Sequence, residues 1–246
     1  MAWAETEKPQ EAGKQGIREH LRMRLPEFHP VLAVIDMQNG FCTAHGSYAQ
    51  FGVDVSPYRA IIPNVRRLID LCHELGIAVF YTQQVREASG IDLLSRRHRI
   101  IPSRRLEFDE KIPSCVRGTW DAEIIEELAP TDRDHVVMKR RDSAFQDTEF
   151  ELWLRSIGAD TIIYTGTDTC ICVENSFREG FNKGYDVIVV DDAVASTWPE
   201  LHQAALELVR GSFGLVLNTD QLIHLLGAAK RTTSAFRLSM KSLHFP

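Results

Sequence analysis

Six short apolar runs rich in β-branched residues punctuate the chain: VLAVI (31–35), IAVFY (77–81), HVVM (135–138), TIIY (161–164), VIVV (187–190) and LVL (215–217). Continuous runs of this length describe strands buried on both faces, the condition of a parallel sheet. None approaches the roughly 18 residues that a membrane-spanning helix needs. Parallel neighbours must be joined by crossovers, and helical stripes lie between the runs. Ile62, Val65, Leu68, Ile69, Cys72 and Leu75 form one such stripe. Phe150, Trp153, Leu154 and Ile157 form a second, with Asp147 or Thr148 as its expected cap. Val173, Phe177 and Phe181 recur every fourth residue before Gly184, and Leu201, Ala204, Ala205 and Leu208 make a further stripe. A closing helix is expected over 220–229, capped by Thr219. Strand and helix in alternation predict a doubly wound α/β domain, a mostly parallel six-stranded sheet with helices on both faces in three layers.

That domain is expected to occupy residues 29–229 of the 246. Residues 1–28 are polar, a lead or an arm that docks on another subunit. The tail 230–246 carries Lys230, Arg231, Arg237 and Lys241 without an acid, and reads as a solvated end or a clasp on a partner. A homo-oligomer, dimer or tetramer, is therefore expected. The segment 86–112 is basic and aperiodic, an excursion over one rim of the sheet where substrate-shaping loops sit. Against a nucleic-acid partner stands the charge: 28 Lys+Arg and 34 Asp+Glu leave a net −6. The N-terminus lacks the apolar stretch of a signal peptide. Five cysteines at scattered spacings do not make a secreted disulfide framework. These features point to the reducing cytoplasm and away from a membrane.

Ligands of an open parallel sheet bind beyond the carboxyl ends of its strands. The first strand delivers Asp36 there (VIDMQNGF), the third Lys139 (VVMKRRDSAF), and the fourth runs into TGTDTCICVENSFREG, a turn and helix start that holds Cys172. Singly, each residue has an ordinary reading: a loop hydrogen bonder, a solvated lysine, a small core residue. Together they make chemical sense. A helix N-terminus and a neighbouring ammonium favour thiolate, and a carboxylate within reach can take and return the thiol proton. Backbone amides around 168–172 can hold a developing oxyanion. Phe41 is a candidate pocket wall. Gln83 and Arg141 are candidates for binding a carbonyl or carboxylate at the mouth, Arg141 because it lies two residues beyond Lys139 and shares its face if the strand stays extended.

The strings VIDMQNGF and KRRDSAFQDTEFELWLRSIGADTIIYTGTDTCICVENSFREGFNKGYDVIVVDDAVAS resemble the isochorismatase-like cysteine hydrolase superfamily over roughly residues 30–220. The resemblance implies a catalytic triad of Asp36, Lys139 and Cys172, the valine after Cys172 selecting it over Cys170. It also implies a non-proline cis peptide at Thr167–Asp168, in a turn whose amides, that of Cys172 included, face the substrate carbonyl oxygen. Members that cleave a vinyl ether lack the cysteine, so its presence implies a thioester route on an amide or ureide. Nicotinamidases carry an Asp and two His for a metal in a stretch resembling DWHPxxH. Here YTQQVREASG has neither His, which implies no metal or other cofactor and disfavours nicotinamide. GTWDAEIIEEL, KRR and CVENSFREGF look closest to ureidoacrylate and biuret-type amidohydrolases. Two departures leave the substrate open: Arg210 stands where the biuret-type pattern has Gln, and Asp142 makes RDS of an expected RYS.

Other chemistries find less support. Cys170 and Cys172 have no second Cys or His pair at metal-site spacing. Nucleotide-binding motifs GxGxxG and GxxxxGK[ST] are absent, as are HExxH and GxSxG. The expectation is a metal-independent amidohydrolase acting on a small ureido, carbamoyl or amide compound. Its competitors are a nicotinamidase-like enzyme and a non-catalytic binding module that keeps the fold.

Overall fold

In the computed structural model, residues 29–111 and 114–227 are described. All six apolar runs become strands: β1 (Pro30–Ile35), β2 (Val79–Gln84), β3 (His135–Lys139), β4 (Thr161–Thr167), β5 (Asp186–Ala195) and β6 (Gly214–Leu217). They form one sheet in the order β3-β2-β1-β4-β5-β6, every pair parallel. Chain order reverses between β1 and β4, the switch point at which ligands of such sheets bind.

The helical stripes fill the crossovers. They are α1 (Ile62–Leu75), α3 (Phe150–Ser156), α4 (Glu174–Asn182) and α5 (Pro199–Leu208), while α2 (Ser103–Lys111) lies in the excursion after β2. Val31, Ala33 and Ile35 of β1 point into a core with Phe150 and Leu154 of α3, Phe177 of α4 and Leu206 of α5. Leu32 and Val34 alternate to the other face, and α1 packs along β1, β2 and β5. Gly76, in left-handed backbone (φ 71°), ends α1. Thr148 supports the start of α3, its hydroxyl accepting from the Phe150 amide at 3.2 Å. The last helix is capped one residue earlier than expected, by Asn218. Its side chain accepts from the Gln221 amide at 2.9 Å while Gln221 accepts from the Asn218 amide at 3.0 Å. Thr219 instead donates to Asp192.

One glycine positions the site. At Gly166 (φ 98°) a Cβ would lie 2.1 Å from the Ile35 carbonyl oxygen, so only glycine lets β4 close on the end of β1. The pairing of β4 with β5 shifts register at the same point, between Tyr164 and Gly166.

His29–Leu222 forms one compact unit; of a second, residues 223–227 are described and helical. The expected arm 1–28 and tail 230–246 lie outside the described residues. Among the described residues no helix is long and apolar enough to cross a membrane.

Candidate active site

Asp36 follows β1 directly and has left-handed backbone (φ 49°). Thr82 of β2 holds it there, accepting from the Asp36 amide at 3.1 Å and donating to Oδ1 at 2.6 Å. Lys139, the last residue of β3, places its Nζ 2.7 Å from Asp36 Oδ2, and both side chains are fully buried. The ammonium donates to Gln84 Oε1 (3.0 Å) and to the carbonyls of Arg141 (3.1 Å) and Asp142 (3.0 Å). Asp36 Oδ2 is the nearest of the four oxygens around the ammonium. Burial by itself pulls the Lys139 pKa down, but the charge and hydrogen bond of Asp36, with the charges of Cys172 and Asp142, together outweigh it and raise the pKa above its ordinary value.

Beyond β4 the Thr167–Asp168 peptide bond is cis. Asp168 then organises a π-helical turn, Thr169–Val173, that leads into α4. Its Oδ1 accepts from the Cys170 amide (3.1 Å), and its carbonyl accepts from the amides of Ile171 and Val173 (both 3.1 Å). Its Oδ2 accepts from the hydroxyls of Tyr58 (2.6 Å) and Ser196 (3.1 Å). The turn is tied down from both sides of the switch point.

On this turn Cys172 is partly buried and opens on a cleft of about 1280 Å³ that Asp36 also lines. Burial raises the thiol pKa well above its ordinary value. Lys139 opposes the rise, while the charges of Asp36 and Asp142 and a thiol–Asp36 hydrogen bond reinforce it. Lys139 thus favours the thiolate as expected, and burial outweighs it. Cys170 does not line the cleft. Its thiol is 3.2 Å from Asp168 Oδ1, and burial, with Asp168, pushes its pKa up to about 12.

The structure thus brings Asp36, Lys139 and Cys172 together at the carboxyl ends of the strands, and Thr167 and Asp168 line the same cleft as Cys172. Phe41 lines the cleft and meets Tyr48 edge-on, ring centroids 4.7 Å apart. Gln83 is not brought in: its side-chain amide donates to the Ala122 carbonyl at 3.1 Å. Period-two alternation along β2 explains the miss, since Gln84 shares the face of Thr82 and reaches Lys139. Arg141 lines the cleft, but β3 stops at Lys139, and the guanidinium turns to the carbonyls of Asp92 (3.0 Å) and Arg140 (2.7 Å). Arg210 lies away from the cleft, paired with Glu207 and Asp191. Asp142 lines it and pairs with Arg105 at 2.7 Å.

Sequence reasoning missed Thr82, Gln84 and Gln38. Gln38 accepts from the Gln84 amide (2.7 Å) and donates to the carbonyls of Gln84 (3.0 Å) and Ala122 (2.8 Å), locking the loop after β1 onto the end of β2. The signal available was their position: polar residues at and just beyond two adjacent strand ends. Among the described residues no three His, Cys, Asp or Glu side chains cluster as a metal site requires.

A thiol on a rigid turn, facing a buried carboxylate–ammonium pair at a parallel sheet's switch point, is equipment for hydrolysis through a nucleophile. The chain belongs to the isochorismatase family, whose domain matches residues 30–221. It is 30% identical over 200 residues to the ureidoacrylate amidohydrolase RutB of Acinetobacter baylyi, covering 78% of this chain and 82% of that one. With the enzyme of the same name from Serratia proteamaculans it shares 33% over 214 residues, covering 82% and 85%. A cysteine hydrolase structure from Pseudomonas syringae pv. phaseolicola superposes with a TM-score of 0.72 at 27% identity, over 82% of this chain and 93% of that one. The protein is a hydrolase acting on carbon–nitrogen bonds other than peptide bonds.

Proposed function

We propose that this hydrolase works without a metal, through a thioester on Cys172, and that it cleaves a C–N bond of a small ureido, carbamoyl or amide compound in the reducing cytoplasm. The observation that carries this reading is the fully buried Asp36–Lys139 pair, with Nζ 2.7 Å from Oδ2, set beside the Cys172 thiol on the wall of the cleft that Asp36 also lines. Asp36 takes the proton from the Cys172 thiol, and the sulfur attacks the carbonyl carbon. The C=O electron pair moves onto oxygen, which the amides of the turn at Thr167, Asp168 and Cys172 receive. The C–N bond then breaks, and Asp36 returns its proton to the departing nitrogen. Water next loses a proton to Asp36 and adds to the thioester carbonyl; the C–S bond breaks and the sulfur recovers the proton. Lys139 stays charged throughout, steadying each anionic stage without exchanging its own protons, as its three acceptors favour. Phe41 walls the acyl group.

All five cysteines are unpaired, which suits a compartment that keeps a nucleophilic thiol reduced. The named relatives put ureido acids first in a substrate screen. The test is ammonia release from ureido, carbamoyl and simple amide compounds with EDTA present, together with acid-quench mass spectrometry of the intact chain. Turnover with an acyl adduct on Cys172 is expected. Activity that survives Cys172→Ser, or that EDTA removes and zinc restores, overturns the mechanism.

A further inference from the structure

The cleft's outer wall is a flap, residues 86–111, fastened at three points to the segment that follows the buried lysine. Arg140 pairs with Glu87, Arg141 donates to the Asp92 carbonyl at 3.0 Å, and Asp142 Oδ2 accepts from Arg105 Nη2 at 2.7 Å. The first two fastenings hold only the flap. The third joins two residues that both line the cleft with Cys172. Arg105 and Asp142 are 37% and 30% exposed, so the pair is open to a ligand, and among the described residues Arg105 bonds through Nη2 alone. One nitrogen on one oxygen is half of what a guanidinium and a carboxylate can make together, since the planar fork accommodates two oxygens. On the next residue, Arg104 stacks over the ring of Trp198, its Cζ 3.3 Å from the centroid, and so steadies α2 from the opposite rim. Arg105 and Cys172 lie within electrostatic range of each other.

We propose that Arg105 is the substrate-recognition residue of this cleft, taking a substrate's carboxylate in a two-point bond, and that Asp142 holds the guanidinium in place by a one-point bond until that carboxylate arrives. The inference rests on the reading of the cleft as the substrate site and deepens it to a class: a ureide or amide whose far end is a monoanionic carboxylate. A phosphate dianion is disfavoured because Asp142, Asp147 and Glu179 line the same cleft. The backbone carbonyl of Asp142 accepts from Lys139 Nζ, so the residue that holds Arg105 is registered directly on the buried centre. The distance from carboxylate to scissile carbonyl is thereby fixed by one residue.

The test is calorimetric binding of 3-ureidopropionate and of its neutral carboxamide to the full chain carrying Cys172→Ala, alone and combined with Arg105→Gln, Arg105→Lys or Asp142→Asn. The acid should bind at least about tenfold tighter than the carboxamide. Arg105→Gln should erase that preference, Arg105→Lys should restore part of it, and Asp142→Asn should tighten the acid severalfold while moving the carboxamide less than about twofold. Equal affinity for the two ligands, no binding of either, or Arg105→Gln weakening both alike would overturn the proposal. Hydrolysis by the unmodified chain is scored separately. Charge-selective binding without turnover sinks the hydrolytic mechanism and leaves Arg105 in its role; turnover without charge selectivity does the reverse.

Discussion

The buried centre and the flap that walls it are built on opposite principles. Asp36 and Lys139 sit at the ends of the parallel strands β1 and β3, on either side of β2, fully buried, with the carboxylate positioned by Thr82 and the ammonium by Gln84 and two carbonyls. Their supports are backbone or neighbouring strand residues, so the pair cannot shift without disturbing the sheet. The flap is a solvated excursion whose described residues include no buried side chain between 86 and 107, and it is held by a few charged contacts at its edges. The difference teaches a division of labour. Chemistry that must hold its geometry sits where packing fixes it, and recognition sits where sequence can vary at little cost to the fold.

The largest expected effect falls on the centre. Cys172→Ser should lower kcat/KM at least about a thousandfold, roughly 4 kcal/mol of barrier, with the circular dichroism spectrum unchanged. Cys170→Ser should lower it less than about threefold, because that thiol faces Asp168 and Ser196 outside the cleft. Should the two variants trade places, the turn has been read two residues out of register.

Stability should separate the two regions next. Asp36→Asn keeps a residue that tolerates left-handed backbone but strands the Lys139 ammonium without its counter-charge. Breaking a buried pair from one side costs about 3–5 kcal/mol, and the three remaining acceptors on Lys139 place this case near the lower end. Urea denaturation checks it. A loss under about 1 kcal/mol would mean that the pair is no more demanding than the surface bridges of the flap.

How legible each region was in the sequence follows the same line. The six strands and their crossover helices declared themselves because burial on both faces forces continuous apolar runs, and strand ends then name the residues at the switch point. Asp36, Lys139 and Cys172 were readable for that reason, and the resemblance to a known family gave them roles. Gln84 was missed for Gln83 because alternation along β2 was not carried to its last residue. Arg141 was assigned to the substrate on the premise of an extended strand, and β3 ends two residues short of it. Arg105 was unreadable in a stronger sense. Nothing in its local pattern says that α2 folds back over a strand end some thirty residues further on, since solvated segments carry no periodicity from which a partner can be deduced. The burial that raises the Cys172 pKa was hidden too, because burial is a tertiary fact.

Arg141→Ala tests the flap's fastening without touching the centre. Losing its bonds to the Asp92 and Arg140 carbonyls should raise KM about two- to fivefold with kcat nearly unchanged. Because the effect acts through flap position, an anionic substrate and its neutral carboxamide should suffer alike. A selective loss for the anion would return Arg141 to the substrate-binding role that its place in the sequence first suggested.

The smallest effect expected is that of Arg104→Ala, and it probes the comparison most directly. The guanidinium stacks on Trp198 across the cleft mouth, and an exposed cation–π contact of this kind contributes about 0.5–1 kcal/mol. Spread over a domain of this size, that lowers Tm by no more than about 4 °C. Yet if the flap opens independently of the sheet, the same energy acts entirely on the flap's own opening equilibrium, and 1 kcal/mol there is about a fivefold change in the open population. Trypsin supplies the readout, since Arg96, Arg97 and Arg99 are exposed on the flap. Cleavage at 96–99 in native conditions should accelerate about two- to fivefold in Arg104→Ala, while amide exchange in β1 and β4 stays as in the unmodified chain. Acceleration at the flap accompanied by equal loss of protection in those strands would show that flap and centre open as one unit. The two regions would then differ in composition and exposure but not in mechanical independence.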